Sequence, residues 1–384
     1  MIIPIKIKQL ILLILLLMID IYSSAQGKAI FIINHFPEGK AGTEKSIFLA
    51  GTFNNWNPAD TAFRFKRNNN RYELSVFLPS IINEFKITRG SWDQVECTIN
   101  GQAVKNHIIK VKKDTLIYLS VAQWQDSFET KPKLHTASKQ VKIIDTAFYI
   151  PQLDRKRRVW IYLPEGYENS KKSYPVIYMH DGQNIFDNYT SGYGEWGVDE
   201  VLDSLNNIKK PMAIVVGIDH GNENRFTEYN PYLNEHYGKG RGDDYVDFLA
   251  KTLKPFIDKN YRTLADVKNT TVAGSSMGGL ISLYALAKYS KTFGAAGVFS
   301  PAFWISPELF NYISSKKLAS SRIYFVAGGL ERDTMVPDML RMYEILLKKG
   351  LSPKNLYSKV WDDGAHNEWF WRREFPHFYN WISK

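Results

Sequence analysis

Across residues 28–124 the apolar positions come in short β-branched and aromatic runs, at 29–33, 46–50, 72–78, 84–88 and 116–121, separated by turn-forming clusters at 54–60 and 68–70. Regularly spaced strands with no helical period between them predict a small all-β, immunoglobulin-like sandwich. Residues 127–139 turn polar around Pro132, which suits an interdomain linker. Beyond it, strand-like runs at 159–163, 176–179, 213–218, 270–273, 296–299 and 323–327 alternate with helical periodicity. Several of these runs are apolar throughout, as strands covered on both faces are. In 243–259, Val246, Leu249, Leu253 and Ile257 line one helical face, and Asp243 stands where a cap would. A mostly parallel sheet with helices on both sides is expected. The organisation read from this pattern is a sandwich over 26–126, a linker over 127–141 and an α/β domain over 142–384.

The start of the chain follows a different rule. Lys6 and Lys8 precede an apolar run at 10–18, Asp20 interrupts it, and the small residues Ser23 and Ala25 follow. The run is too short for a bilayer, so residues 1–25 read as a secretory signal cleaved after Ala25, with export to the periplasm or beyond and no membrane span afterwards. Cys97 is the single cysteine, so no intramolecular disulfide can form and stability must come from packed cores. The formal charge of +10 is dispersed, and its densest cluster, 155–158, carries no interleaved aromatics. A solvated strand edge fits that cluster better than a nucleic-acid surface, and no nucleic-acid partner is expected. Aromatics at 14% suit sugar or aryl stacking. With no ligand cluster at metal-binding spacing, neither metal nor other cofactor is expected.

Thr271-Val272-Ala273-Gly274-Ser275-Ser276-Met277-Gly278-Gly279 places G-x-S-x-G between an apolar strand and the helical pattern at 281–288. A serine on so sharp a strand-to-helix turn needs near-absent side chains two residues before and after it, which Gly274 and Gly278 supply. The helix then directs its free N–H groups and dipole at the Ser276 hydroxyl, where negative charge would develop. This is the nucleophile elbow of an α/β-hydrolase fold. Ser275 is out of register.

A serine needs a base, which in this fold order comes late. Of eight histidines, His366 sits in a loop, Asp362 to Glu368, after an apolar run and before an aromatic-rich terminal segment that holds His377. The acid should follow the strand ending Phe325-Val326-Ala327-Gly328-Gly329. Glu331 is first in line and Asp333 close behind, and spacing does not separate them. Two backbone N–H groups must face the oxyanion. Met277 follows the nucleophile, and Gln183, beside Gly182 in the loop after 176–179, is the second choice. His180 and Asp181 read as loop architecture, and Trp304 and Arg225 as either pocket lining or packing.

These residues resemble the esterase family that includes esterase D, enterochelin esterases, feruloyl and acetylxylan esterases of carbohydrate esterase family one, and mycolyltransferases. The similar stretches are RRVWIYLPEGY at 157–167, YPVIYMHDGQNIFD at 174–187, FIDKNYRTLADVKNTTVAGSSMGGL at 256–280 and GAHNEWFWRREFP at 364–376. The resemblance implies a Ser-His-acid hydrolase with Ser276, His366 and Glu331, although many members carry aspartate at the last position. The first domain is similar to the glycogen- and starch-binding modules related to the β subunit of AMP-activated kinase, through IFLAGTFNNWNP at 47–58 and EFKITRGSWDQVE at 84–96. That likeness implies sugar contacts at Trp56, Trp92 and Lys86, burial of the tryptophans being the competing reading. The expected protein is a secreted serine ester hydrolase acting on a small-molecule or polysaccharide ester, with α-glucan or another glycan as partner. An acyltransferase using the same residues, or an inactive glycan-binding protein, are the alternatives.

Overall fold

The computed structural model describes residues 27–37, 46–54, 56–79, 81–128, 133–235, 237–318 and 320–384. The expected signal segment, 1–25, lies outside these. The chain divides into two compact units, residues 1–131 and 132–384.

The first unit contains β1 (Lys28–His35), β2 (Phe48–Gly51), β3 (Lys66–Asn68), β4 (Arg71–Phe77), β5 (Ile82–Thr88), β6 (Glu96–Cys97), β7 (His107–Lys110), β8 (Thr115–Ser120) and β9 (Gln123–Trp124). Two sheets, β3-β4-β1-β8 and β2-β5-β7, share a core that includes Phe31, Ile33, Leu49, Phe85, Ile87 and Trp124. Phe31 of one sheet meets Phe85 of the other edge to face at 5.4 Å, so alternate residues of facing strands close a sandwich. The short strands β3, β6 and β7 did not stand out in the hydrophobic pattern, because two to four residues are too few to show a period.

The second unit holds β10 (Val141–Ile150), β11 (Arg155–Tyr162), β12 (Val176–His180), β13 (Ile214–Ile218), a small hairpin of β14 (Leu233–Asn234) and β15 (Gly238–Lys239), then β16 (Thr270–Ser275), β17 (Ala295–Phe299), β18 (Arg322–Gly328) and β19 (Leu356–Trp361). Its eight-stranded sheet runs β10-β11-β13-β12-β16-β17-β18-β19. The pairings of β11 with β10 and β13 are antiparallel; all the others are parallel. Along β12, Val176 and Tyr178 enter the core under the helices Met277–Lys288 and Met335–Lys348, while Ile177 and Met179 enter the core under Val198–Asn207 and Glu368–Ile382. That is a sheet covered on both faces, the α/β-hydrolase arrangement. Because β12 and β16 to β19 are parallel, the loops that follow them gather at one edge.

Three local readings change. The expected helix over 243–259 begins at Gly242 with Arg241 as its cap, and Asp243 lies in the first turn, accepting from the Tyr284 hydroxyl at 2.6 Å. A π turn at Leu249–Leu253 interrupts the same helix just before Pro255, whose ring removes an N–H and crowds the preceding turn. The basic cluster 155–158 is not a solvated edge: Arg155 and Arg157 both pair with the buried Glu228, the latter at 2.6 Å, and Arg158 pairs with Asp219 at 2.8 Å. Part of the polar stretch read as linker is held against the second unit, through His135 Nδ1 and Asp187 at 2.7 Å and the Ser138 N–H donating to Asp199 at 2.7 Å.

Candidate active site

Ser276 lies between β16 and the helix Met277–Lys288 with φ 56° and ψ −120°, a conformation L-residues avoid. The surroundings hold it there. Its N–H donates to the Phe299 carbonyl at 2.9 Å, and its carbonyl accepts from Leu280 at 3.1 Å and Ala302 at 3.0 Å. A Cβ on Gly274 would come within 3.0 Å of both the Gly278 backbone and the His180 ring, and one on Gly278 within 3.4 Å of His180. His180 thus sits directly beneath the elbow, and the glycine spacing is explained by that close approach.

His180 is buried, its Nδ1 2.9 Å from the Tyr245 hydroxyl, and burial pushes its pKa down to about 4, so it is neutral at physiological pH. The next residue, Asp181, takes a left-handed conformation (φ 59°) and opens the turn Gly182–Asn184 that carries Gln183. Arg225 forks onto both Asp181 oxygens at 2.8 Å. Burial alone would raise the Asp181 pKa, but the guanidinium holds it below the ordinary carboxylate value. Asp181 and His180 therefore act as architecture for this loop, and Arg225, read from sequence as lining or packing, is the clamp on it.

At the far side of the edge, the buried Glu331 carboxylate lies behind His366. Its Oε2 is 3.2 Å from His366 Nδ1, and its Oε1 accepts from the Ser300 hydroxyl at 2.5 Å and the Gly328 N–H at 3.0 Å. The opposite ring nitrogen, Nε2, is then the one that can serve as a base. The loops bearing the two residues touch at backbone level: a Cβ on Gly328 would fall 2.1 Å from the Gly364 carbonyl oxygen, and the Leu330 N–H donates to that oxygen at 2.9 Å. Ser300 and Trp371 were missed from sequence. Trp371 Nε1 donates to the Ser300 hydroxyl at 2.9 Å while its ring meets His366 edge to face at 5.1 Å. The only trace of them in the chain is a serine directly after an apolar strand and the aromatic run after His366. Glu368, two residues past the histidine, is a further buried carboxyl, raised to about 7 by burial despite the opposing influence of His366 and Arg225.

Of the sequence-predicted residues, Glu331 and His366 are hydrogen-bonded, and Ser276, Met277 and Gln183 lie in the turns and helix start that follow β16 and β12, with Asp181 of the Gln183 turn 3.5 Å from where a Gly278 Cβ would lie. Met277 opens its helix, where the N–H groups lack intrahelical acceptors. Asp333 is half-buried in the loop after Glu331. His377 is exposed on the terminal helix. In the first unit, Trp56 and Trp92 are half-buried with ring centroids 6.2 Å apart, and the Lys86 ammonium donates to the Val104 carbonyl, burial lowering its pKa.

A mostly parallel sheet covered on both faces, with a strained serine at the strand-to-helix turn, defines an α/β-hydrolase. The profile of the family described as "Putative esterase" matches residues 150–378, more than half of the chain, and the chain belongs to that family of carboxylic ester hydrolases. It is 26% identical over 241 residues to the Bacillus subtilis protein YbbA, covering 59% of this chain and 92% of that one. It is 25% identical over 269 residues to the endo-1,4-beta-xylanase/feruloyl esterase of Xylanibacter ruminicola, covering 67% of this chain and 34% of that protein, so it spans about a third of that relative. The solved enterobactin esterase FES from Shigella flexneri, in the presence of enterobactin, superposes with a TM-score of 0.56 at 16% identity over 94% of this chain and 97% of that one, a likeness of fold.

Proposed function

We propose that this chain is an exported serine ester hydrolase that cleaves acyl esters of carbohydrates or related compounds through an acyl-enzyme. The observation that carries the reading is the Glu331 carboxylate hydrogen-bonded to His366 Nδ1, at the sheet edge where Ser276 is strained into its turn. In this reading His366 takes the Ser276 proton as Oγ bonds to the acyl carbon, and returns it to the leaving alcohol. The N–H groups of Met277 and Gln183 hold the oxyanion, and water then releases the acid. A fluorophosphonate probe should label Ser276, and acid should be released from a panel of acetyl, feruloyl and catecholate esters. The mass of the labelled protein from its native host reports whether residues 1–25 have been removed. Labelling elsewhere, or acid release equal in the Ser276→Ala protein, would overturn the reading.

The paired half-buried rings of Trp56 and Trp92 support a glycan-binding role for the sandwich, because such faces stack on sugar rings. Retention on immobilised amylose should fall about tenfold or more in the Trp56→Ala, Trp92→Ala double variant, a loss of two stacking contacts. Equal retention would reject the sugar platform.

A further inference from the structure

Arg332 follows the proposed acid by one residue, and its guanidinium lies over the Trp304 ring, 4.1 Å from the centroid. Both side chains are half-buried. Arg332 Nε is shielded from solvent and makes no hydrogen bond, and among the described residues no carboxylate is within ion-pair distance of the group. Asp338, Asp333 and Tyr237 influence it electrostatically from farther off, and burial lowers its pKa from the ordinary arginine value. A cation half withdrawn from water, with one shielded N–H left without an acceptor, is costly to hold. Arg155, Arg157, Arg158 and Arg225 of this unit grip carboxylates, whereas Arg262 and Arg322, which also lie over aromatic rings, donate to backbone carbonyls.

The surroundings hold the pair in place. Ala302, two residues before Trp304, donates its N–H to the Ser276 carbonyl at 3.0 Å. The loop carrying Tyr237 is tied to the Trp304 loop through Asn234 Nδ2 donating to the Ile305 carbonyl at 3.0 Å and the Ser306 hydroxyl donating to Asn230 at 2.5 Å. Tyr237 itself stacks on Phe226 at 4.2 Å. Thus a preorganised planar cation, backed by an aromatic ring, is carried on loops that also bear on the nucleophile and the acid.

We propose that Arg332, seated on Trp304, is an anion-recognition subsite, and that the preferred substrates are esters bearing a carboxylate close to the scissile bond. This rests on the hydrolase reading above. The carboxylate can belong to the acyl part, as in a dicarboxylic half-ester, or to the alcohol part, as in an acylated hydroxy acid or uronate. A guanidinium presents a fork of N–H donors to either.

The test compares kcat/KM for matched pairs of esters. On the acyl side, mono-p-nitrophenyl succinate is set against p-nitrophenyl butyrate. On the alcohol side, acetoxyacetate is set against its neutral amide. The wild-type protein should prefer the anionic member in at least one pair. Arg332→Gln should lower that preference about tenfold, chiefly through KM, and Arg332→Lys should keep part of it. Salt at about 1 M, where the Debye length is about 3 Å, should also lower the wild-type preference, a check that needs no variant to fold. The pair that responds identifies which side carries the charge. No preference in either pair, or one untouched by Arg332→Gln, overturns the proposal. Calorimetry of monomethyl succinate with the Ser276→Ala protein separates this failure from failure of the hydrolase reading. Binding that weakens about tenfold when Arg332→Gln is added supports the subsite even if no ester is turned over; absent or equal binding rejects it.

Discussion

Ser276→Ala is expected to lower kcat/KM for any ester this protein hydrolyses by about 10⁴ or more, leaving the fold intact. The side chain removed is a single hydroxyl that carries none of the elbow's hydrogen bonds. Those run through the Ser276 backbone, to Phe299, Leu280 and Ala302, so the strained turn should persist and thermal melting should change little. Acid release by the purified variant, measured beside a melting curve, checks this. Residual hydrolysis at more than a hundredth of the wild-type rate would place the chemistry elsewhere.

The second large effect concerns the acid. In Glu331→Gln, the Ser300 hydroxyl and Gly328 N–H both donate to the position now held by Oε1, so the amide oxygen will take that place. The amide nitrogen is then turned toward His366 Nδ1, where the carboxylate oxygen stood at 3.2 Å. Facing a donor, Nδ1 must accept, and the ring proton moves to Nε2, which can no longer take the serine proton. A loss of about 10³ to 10⁴ in kcat follows from this wrong tautomer alone. Asp333→Asn, by contrast, should cost only a few-fold. Steady-state kinetics on the two variants decide between the carboxylates: a large loss in Asp333→Asn with a small one in Glu331→Gln would reverse the assignment. Ser300 gains a role from the same geometry, since its hydroxyl helps dictate which way the amide turns.

Much of this site could be read along the chain because its parts are local. The elbow is a run of five residues whose glycines are demanded by a backbone crossing, and its strand and helix lie on either side of it. The parallel strands stood out because burial on both faces leaves them apolar throughout, as in Val176–His180 and Ile214–Ile218. The edge strand Val141–Ile150 did not, since most of its residues face solvent. Spacing alone left Glu331 and Asp333 equivalent, because two carboxylates on one loop carry the same sequence signal.

What the sequence by itself determined is the order of elements, a serine on a sharp turn between strand and helix, and a histidine and candidate acids in the loops that follow. Only the tertiary structure decided what those loops meet. Ser300, Trp371 and Glu331 converge from separate segments, 31 and 71 residues apart along the chain. Arg225 reaches Asp181 across 44 residues, and Arg332 is seated on Trp304. Such partners are set by which strands lie side by side in the sheet, and side-chain hydrogen bonds between distant segments have no period or spacing for a sequence to display.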